Sequence, residues 1–108
     1  MPHQNFLAAL AAASVLVAGP GSAATDAAQK LYTQSLAATC ANCHGTQGKA
    51  VKDAALPGLA GMKADYLAAQ MQAFRKGERK ATIMHQIAKG YSDEQVRLLA
   101  EYFAAQTP

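Results

Sequence analysis

The amino-acid sequence predicts a small all-α domain with long loops. Three observations carry that expectation. No segment alternates apolar and polar residues as a strand does. Three segments in the last 84 residues place apolar side chains at helical spacing. The stretches between them are punctuated by Gly and Pro. The chain has 108 residues, 51% hydrophobic and 6% aromatic, with a formal charge of +3. That length predicts one small domain. The composition excludes a transmembrane bundle, a collagen-like or disordered chain and a multi-disulfide scaffold, since two Cys allow one bridge at most.

Residues 1–24 contain no Asp, Glu, Lys or Arg, and residues 6–18 are an apolar run of 13. Such a run matches a secretory h-region and is too short to span a bilayer. Gly19-Pro20-Gly21 ends it, and cleavage after Ala23 or Ala24 fits the small-x-small rule, although the n-region lacks Lys and Arg. An N-terminal core helix is the other reading; the Gly-Pro-Gly break and the missing polar face oppose it. The expected organisation is a cleaved signal peptide over residues 1–24 and a single domain over residues 25–108. The mature chain is expected in the periplasm, without stable membrane insertion.

Residues 26–38 carry Ala28, Leu31, Tyr32, Ser35 and Leu36 at helical spacing, with Thr25 or Asp26 able to cap them. Residues 40–59 read as a loop with Gly45, Gly48, Pro57 and Gly58. Residues 63–76 predict a second helix, with Leu67, Met71 and Phe74 on one face and Gly77 as its stop. Residues 82–89 predict a short helix ended by Gly90. The last helix is the best marked. Ser92 and Gln95 have capping-box spacing, and Asp93 and Glu94 put negative charge at the helix N-terminus. Tyr91 and Val96 are spaced as a hydrophobic staple, and Val96, Leu99, Ala100 and Phe103 form one apolar stripe.

The core arithmetic is tight. Without residues 1–24, 40 apolar residues remain; 18 are Ala and two are Cys, leaving 20 larger side chains. A buried aliphatic side chain contributes about 1.5–3 kcal/mol, and domains of this size usually need a staple. Something other than side chains is therefore expected to fill the core.

Cys40-Ala41-Asn42-Cys43-His44 is C-x-x-C-H, the signature of c-type haem attachment. Positions 40, 43 and 44 fall on one face of a helical turn. Cys40 and Cys43 are the expected thioether bonds to the haem vinyls, and His44 the proximal iron ligand. Gly45 follows where a side chain is expected to crowd the porphyrin. A thioredoxin-like dithiol needs βαβ patterning, which is missing. A zinc site needs four ligands, and His85 is the one further His after residue 24. A bridge across two intervening residues closes almost no loop.

A haem iron used for electron transfer is usually six-coordinate. Met84, between a charged turn and the capped last helix, is the expected second ligand; Met62 and His85 are the alternatives, and Met71 reads as core. The carbonyl of Pro57 is expected to accept a hydrogen bond from His44 Nδ1 and fix the imidazole plane. An ordinary turn proline is the other reading.

With C-A-N-C-H at 40–44, L-P-G-L-A-G at 56–61 and Met84 ahead of Y-S-D-E-Q-V-R-L-L-A-E-Y-F at 91–103, the chain resembles the short bacterial class I cytochromes c over residues 27–105. The resemblance implies that fold: about four helices wrapped around one covalently bound haem c, with long loops. It also implies His44 and Met84 as axial ligands, and Tyr102 or Phe103 packed against residues 31–35. Residues 77–103, together with Y-L-A-A-Q-M-Q-A-F-R at 66–75, are similar to the cytochrome subunit of flavocytochrome c sulfide dehydrogenase. There the haem subunit accepts electrons from a separate FAD-bearing subunit that oxidises sulfide. Many members carry two haem domains; this chain has one C-x-x-C-H.

The function implied is one-electron transfer, as such a subunit and not as an enzyme in its own right. A diffusible periplasmic carrier to a terminal oxidase or other reductase is the alternative. A haem peroxidase or gas-binding protein is more remote, because it needs an open axial position. Arg75, Lys76, Arg79 and Lys80 ahead of Met84, with Lys49 and Lys52 after the attachment motif, form a candidate docking surface for an acidic redox partner. Their other reading is a solvated turn. Nucleic-acid binding has no support.

Overall fold

The computed structural model describes Gly19 and residues 21–108. The apolar run at 6–18 and Pro20 lie outside the described residues. There are four α-helices: α1 (Ser22–His44), α2 (Ala64–Lys76), α3 (Met84–Ile87) and α4 (Asp93–Ala104). Short 3-10 turns cover Thr46–Gly48 and Ala88–Gly90. No strand occurs among the described residues, and none of their helices is long and apolar enough to cross a membrane. Four helices joined by long loops are the all-α organisation that the sequence predicted.

α1 is longer than the sequence reading at both ends. Its N-cap is Gly21, with no side-chain cap, so neither Thr25 nor Asp26 caps it. The expected boundary after residue 24 falls inside its exposed first turn. At the other end, residues 40–44 are helical where a loop was expected. Residues 38–44 contain no Gly or Pro, so the helix runs on to the first residue able to leave it. That residue is Gly45, at φ 88.

α2 ends on Gly77 in the left-handed region, whose N–H and that of Glu78 satisfy the last carbonyls, Phe74 and Ala73. The expected helix over 82–89 is reduced to the single turn of α3, followed by a 3-10 turn. α4 begins as its sequence predicted. Gln95 N–H donates to Ser92 Oγ (3.1 Å) and Ser92 N–H to Gln95 Oε1 (2.9 Å). Val96, Leu99, Ala100 and Phe103 are its buried face.

α4 packs against both α1 and α2. The core at that junction is Ala37, Leu67, Leu99, Ala100 and Phe103, with Leu36, Cys40 and Tyr91 against its edge. Phe103 shares this core with Ala37, just past the expected residues 31–35, while Tyr102 lines a groove with Thr33 and Gln34 inside that stretch; Leu31 itself is 65% exposed. Tyr32 serves the crossing differently, by accepting a hydrogen bond from Gln95 Nε2 (2.9 Å). Of the 20 larger apolar side chains, only Leu67, Val96, Leu99 and Phe103 are buried, and seven are exposed. The tight core arithmetic is visible in the fold.

Candidate functional site

The last turn of α1 carries Cys40, Cys43 and His44. Both cysteines are free thiols; Cys40 is half-buried against the core and Cys43 is exposed. Burial pushes the Cys40 thiol up, and its hydrogen bond with Thr39 opposes that.

The loop after His44 is closed by backbone bonds. The Gly48 carbonyl accepts from Leu59 N–H (2.7 Å) and Ala60 N–H (3.1 Å), and Gly61 N–H donates to the Phe103 carbonyl (2.9 Å). Gly48 is buried at φ +75, and a Cβ there would lie 2.7 Å from the Phe103 ring. Only glycine lets the loop approach α4 so closely. Gly45 has a similar local reason. A Cβ on it would lie 2.1 Å from the Lys49 carbonyl oxygen, so the turn of the backbone demands glycine whatever stands beside it.

This closure brings Pro57 to His44: His44 Nδ1 lies 2.7 Å from the Pro57 carbonyl oxygen. A carbonyl can only accept, so Nδ1 carries a proton, and in the neutral ring this leaves the lone pair on Nε2. That tautomer is the one a metal-ligating imidazole needs.

Met84 stands apart from these groups in sequence, as the first residue of α3, and is partly buried. α3 lies against α2. Met62 packs against the core cluster, and Met71 is partly buried on α2. His85 is partly buried, and its Nδ1 is a buried atom without a hydrogen-bond partner among the described residues.

Four of the seven exposed large apolar side chains flank these candidates: Val51 and Leu56 in the loop after His44, Ile83 and Ile87 around Met84. Two free thiols on one helical turn, an imidazole with its Nε2 lone pair, thioethers, and apolar side chains in the flanking segments together fit covalently attached haem c.

Sequence reasoning missed two features near the site. Arg75, expected in the docking patch, is turned inward. It donates to the carbonyls of Tyr91 (2.6 Å) and Ala88 (3.4 Å) and to Asp93 (2.5 Å). Arg79 hydrogen-bonds Gln70 and stacks over the Phe74 ring, leaving Lys76 and Lys80 as the outward cations of that cluster. The second feature is the Tyr91 hydroxyl, 2.8 Å from Thr39 Oγ1. Both link residues far apart in sequence, and no local pattern signals them.

Comparison with known proteins agrees with this reading. Residues 25–106 match the family model for cytochrome c. The chain is 39% identical over 103 residues to the cytochrome subunit of sulfide dehydrogenase from Chlorobaculum tepidum, covering 87% of this chain and 92% of that protein. It is 39% identical over 71 residues to cytochrome c-554(548) of Halomonas halodenitrificans, across 63% of this chain and 84% of that one. Similarity to the thiosulfate dehydrogenase electron acceptor of Stutzerimonas stutzeri is 47% over 68 residues, 60% of this chain but only 31% of that protein.

Proposed function

The chain belongs to the cytochrome c family, whose members carry electrons on covalently bound haem c, and on that premise we propose that it is the haem subunit accepting electrons from a flavoprotein sulfide dehydrogenase. The observation that carries this reading is the similarity to a sulfide dehydrogenase cytochrome subunit along nearly the whole length of both chains. In this reading residues 1–24 are a cleaved signal peptide and the mature chain works in the periplasm.

Haem c supplies the one-electron Fe(II)/Fe(III) couple when bound. Cys40 and Cys43 are assigned its two thioether bonds. His44 would hold the iron through Nε2, because Pro57 keeps the proton on Nδ1. Met84 would hold it through its thioether. A neutral thioether favours the reduced iron and raises the potential relative to paired imidazoles.

Surface charge supports a protein partner. Among the described residues, Arg75 and Arg97 are the cations engaged in salt bridges. Lys49, Lys52, Lys76, Lys80 and Lys89 are exposed and stand in none. They flank the attachment turn and the Met84 segment in sequence, placed to steer an acidic surface. Two ionised propionates lower the formal +3 to +1 without removing these lysines.

A freely diffusing carrier is the second reading, favoured by the similarity to a thiosulfate dehydrogenase electron acceptor. Native purification separates the two. The subunit reading expects a larger FAD-containing protein to co-purify and to reduce the haem when sulfide is added. A clean monomer that exchanges electrons freely with an oxidase contradicts it. N-terminal sequencing of the same material tests the cleavage site.

A further inference from the structure

We propose that Arg75 is a positioning residue that clamps the segment bearing Met84, and so slows release of that side chain from the iron. The inference rests on Met84 as the second ligand.

The Met84 segment has few ties. α3 is one turn long, its N-cap Ile83 offers no side-chain cap, and residues 77–83 precede it as an irregular turn. Downstream, three acceptors meet one guanidinium. Arg75 stands in the last turn of α2, with its side chain 24% exposed. Nε donates to the Ala88 carbonyl, Nη2 to the Tyr91 carbonyl, and Nη1 to Asp93 Oδ1. These three acceptors cover the whole connection from α3 to α4. Gln72 supports the clamp by donating from Nε2 to the same Asp93 oxygen (3.1 Å).

Tyr91 extends the clamp to the other side of the site. Its carbonyl is held by Arg75, and its hydroxyl pairs with Thr39 Oγ1 next to Cys40. Thr39 Oγ1 is itself fixed to the Leu36 carbonyl (2.7 Å). One residue thereby ties the strap after Met84 both to α2 and to the turn that carries the attachment cysteines. A guanidinium suits this task because its rigid fork serves three acceptors in different directions; a lysine ammonium on the same stem cannot match that fork.

The test uses the oxidised, haem-loaded protein and imidazole as a competing ligand. Imidazole enters after Met84 leaves, so its binding rate reports Met84 release. Arg75→Met keeps the length of the stem and removes every donor. Its imidazole rate is expected to rise about tenfold, the equivalent of losing one charge-assisted hydrogen bond, with far-UV circular dichroism unchanged at the same temperature. Arg75→Lys is expected to recover part of the difference. Should Arg75→Met not fold, Arg75→Lys carries the test alone, with a rate expected at about threefold to tenfold that of the parent. A rate within twofold of the parent in the folded variant overturns the proposal. A parent protein that shows no sulfur-to-iron band overturns the Met84 assignment instead, so the two failures are distinguishable.

Discussion

The α4 side of the molecule and the segments around the proposed iron ligands are built by different means. α4 carries its own instructions: a reciprocal cap, acidic residues in its first turn, and a stripe of four residues that are all buried. Arg97 adds ion pairs to Glu94 (2.6 Å) and Glu101 (2.7 Å), both exposed and therefore worth little. The loop after His44 and the Met84 segment instead turn large apolar groups outward; Val51 is 76% exposed and Ile83 58%. Backbone bonds to Gly48 and the Arg75 clamp hold these segments in place. Side-chain packing builds the half around α4, while the other half leaves apolar surface exposed that, in the proposed function, the haem would cover.

The harshest way to break this comparison is to remove attachment. Cys40→Ala with Cys43→Ala leaves 20 larger apolar side chains to hold about 84 residues, of which four are buried in the fold. The apoprotein is expected to be largely unfolded or molten, read by far- and near-UV circular dichroism. A cooperative melt with native-like near-UV signal would show that the two halves do not differ as argued.

A smaller effect sharpens the other side. Phe103→Ala in the haem-loaded protein empties the junction of α1, α2 and α4 and also removes the contact at Gly48. It is expected to cost about 3–5 kcal/mol in chemical denaturation. A cost below about 1 kcal/mol would place the organising core elsewhere.

The smallest effect is electrostatic. Hydrogen bonds from Arg75, then Gln72, hold the Asp93 carboxyl below the usual carboxylate range, and Arg97 does the same for Glu94. A depressed folded-state value means that the unfolded chain binds the proton more readily. Their contribution is therefore fully present only above the ordinary carboxylate range, from about pH 5 upward, and is lost as the pH falls through the lowered values. Stability measured against pH should decline below pH 4 less steeply in Asp93→Asn than in the parent.

Legibility followed the same division. α4 was readable to its cap because capping and helical periodicity are local, and Gly77 marked the end of α2 for the same reason. The extent of α1 was not legible: the glycines and proline at 45–58 make 40–44 read as part of the loop, although the chain first meets a breaker at Gly45. That Cys40, Cys43 and His44 share one helical turn was legible from their spacing. The His44–Pro57 pairing depends on a loop closed by Gly48, so the sequence offered only a plausible partner. Arg75 was misread as surface charge because its acceptors, Ala88, Tyr91 and Asp93, lie 13 to 18 residues away. Nothing in its neighbourhood distinguishes it from Lys76.

In the proposed function, His44 and Met84 hold the iron from two separately built segments, and the chain carries one electron at a time. The visible spectrum of the oxidised, haem-loaded Met84→Ala protein tests this. The far-red sulfur-to-iron band is expected to be lost while the covalent haem is retained. Persistence of that band would assign the sulfur to another methionine and contradict the role given to Met84.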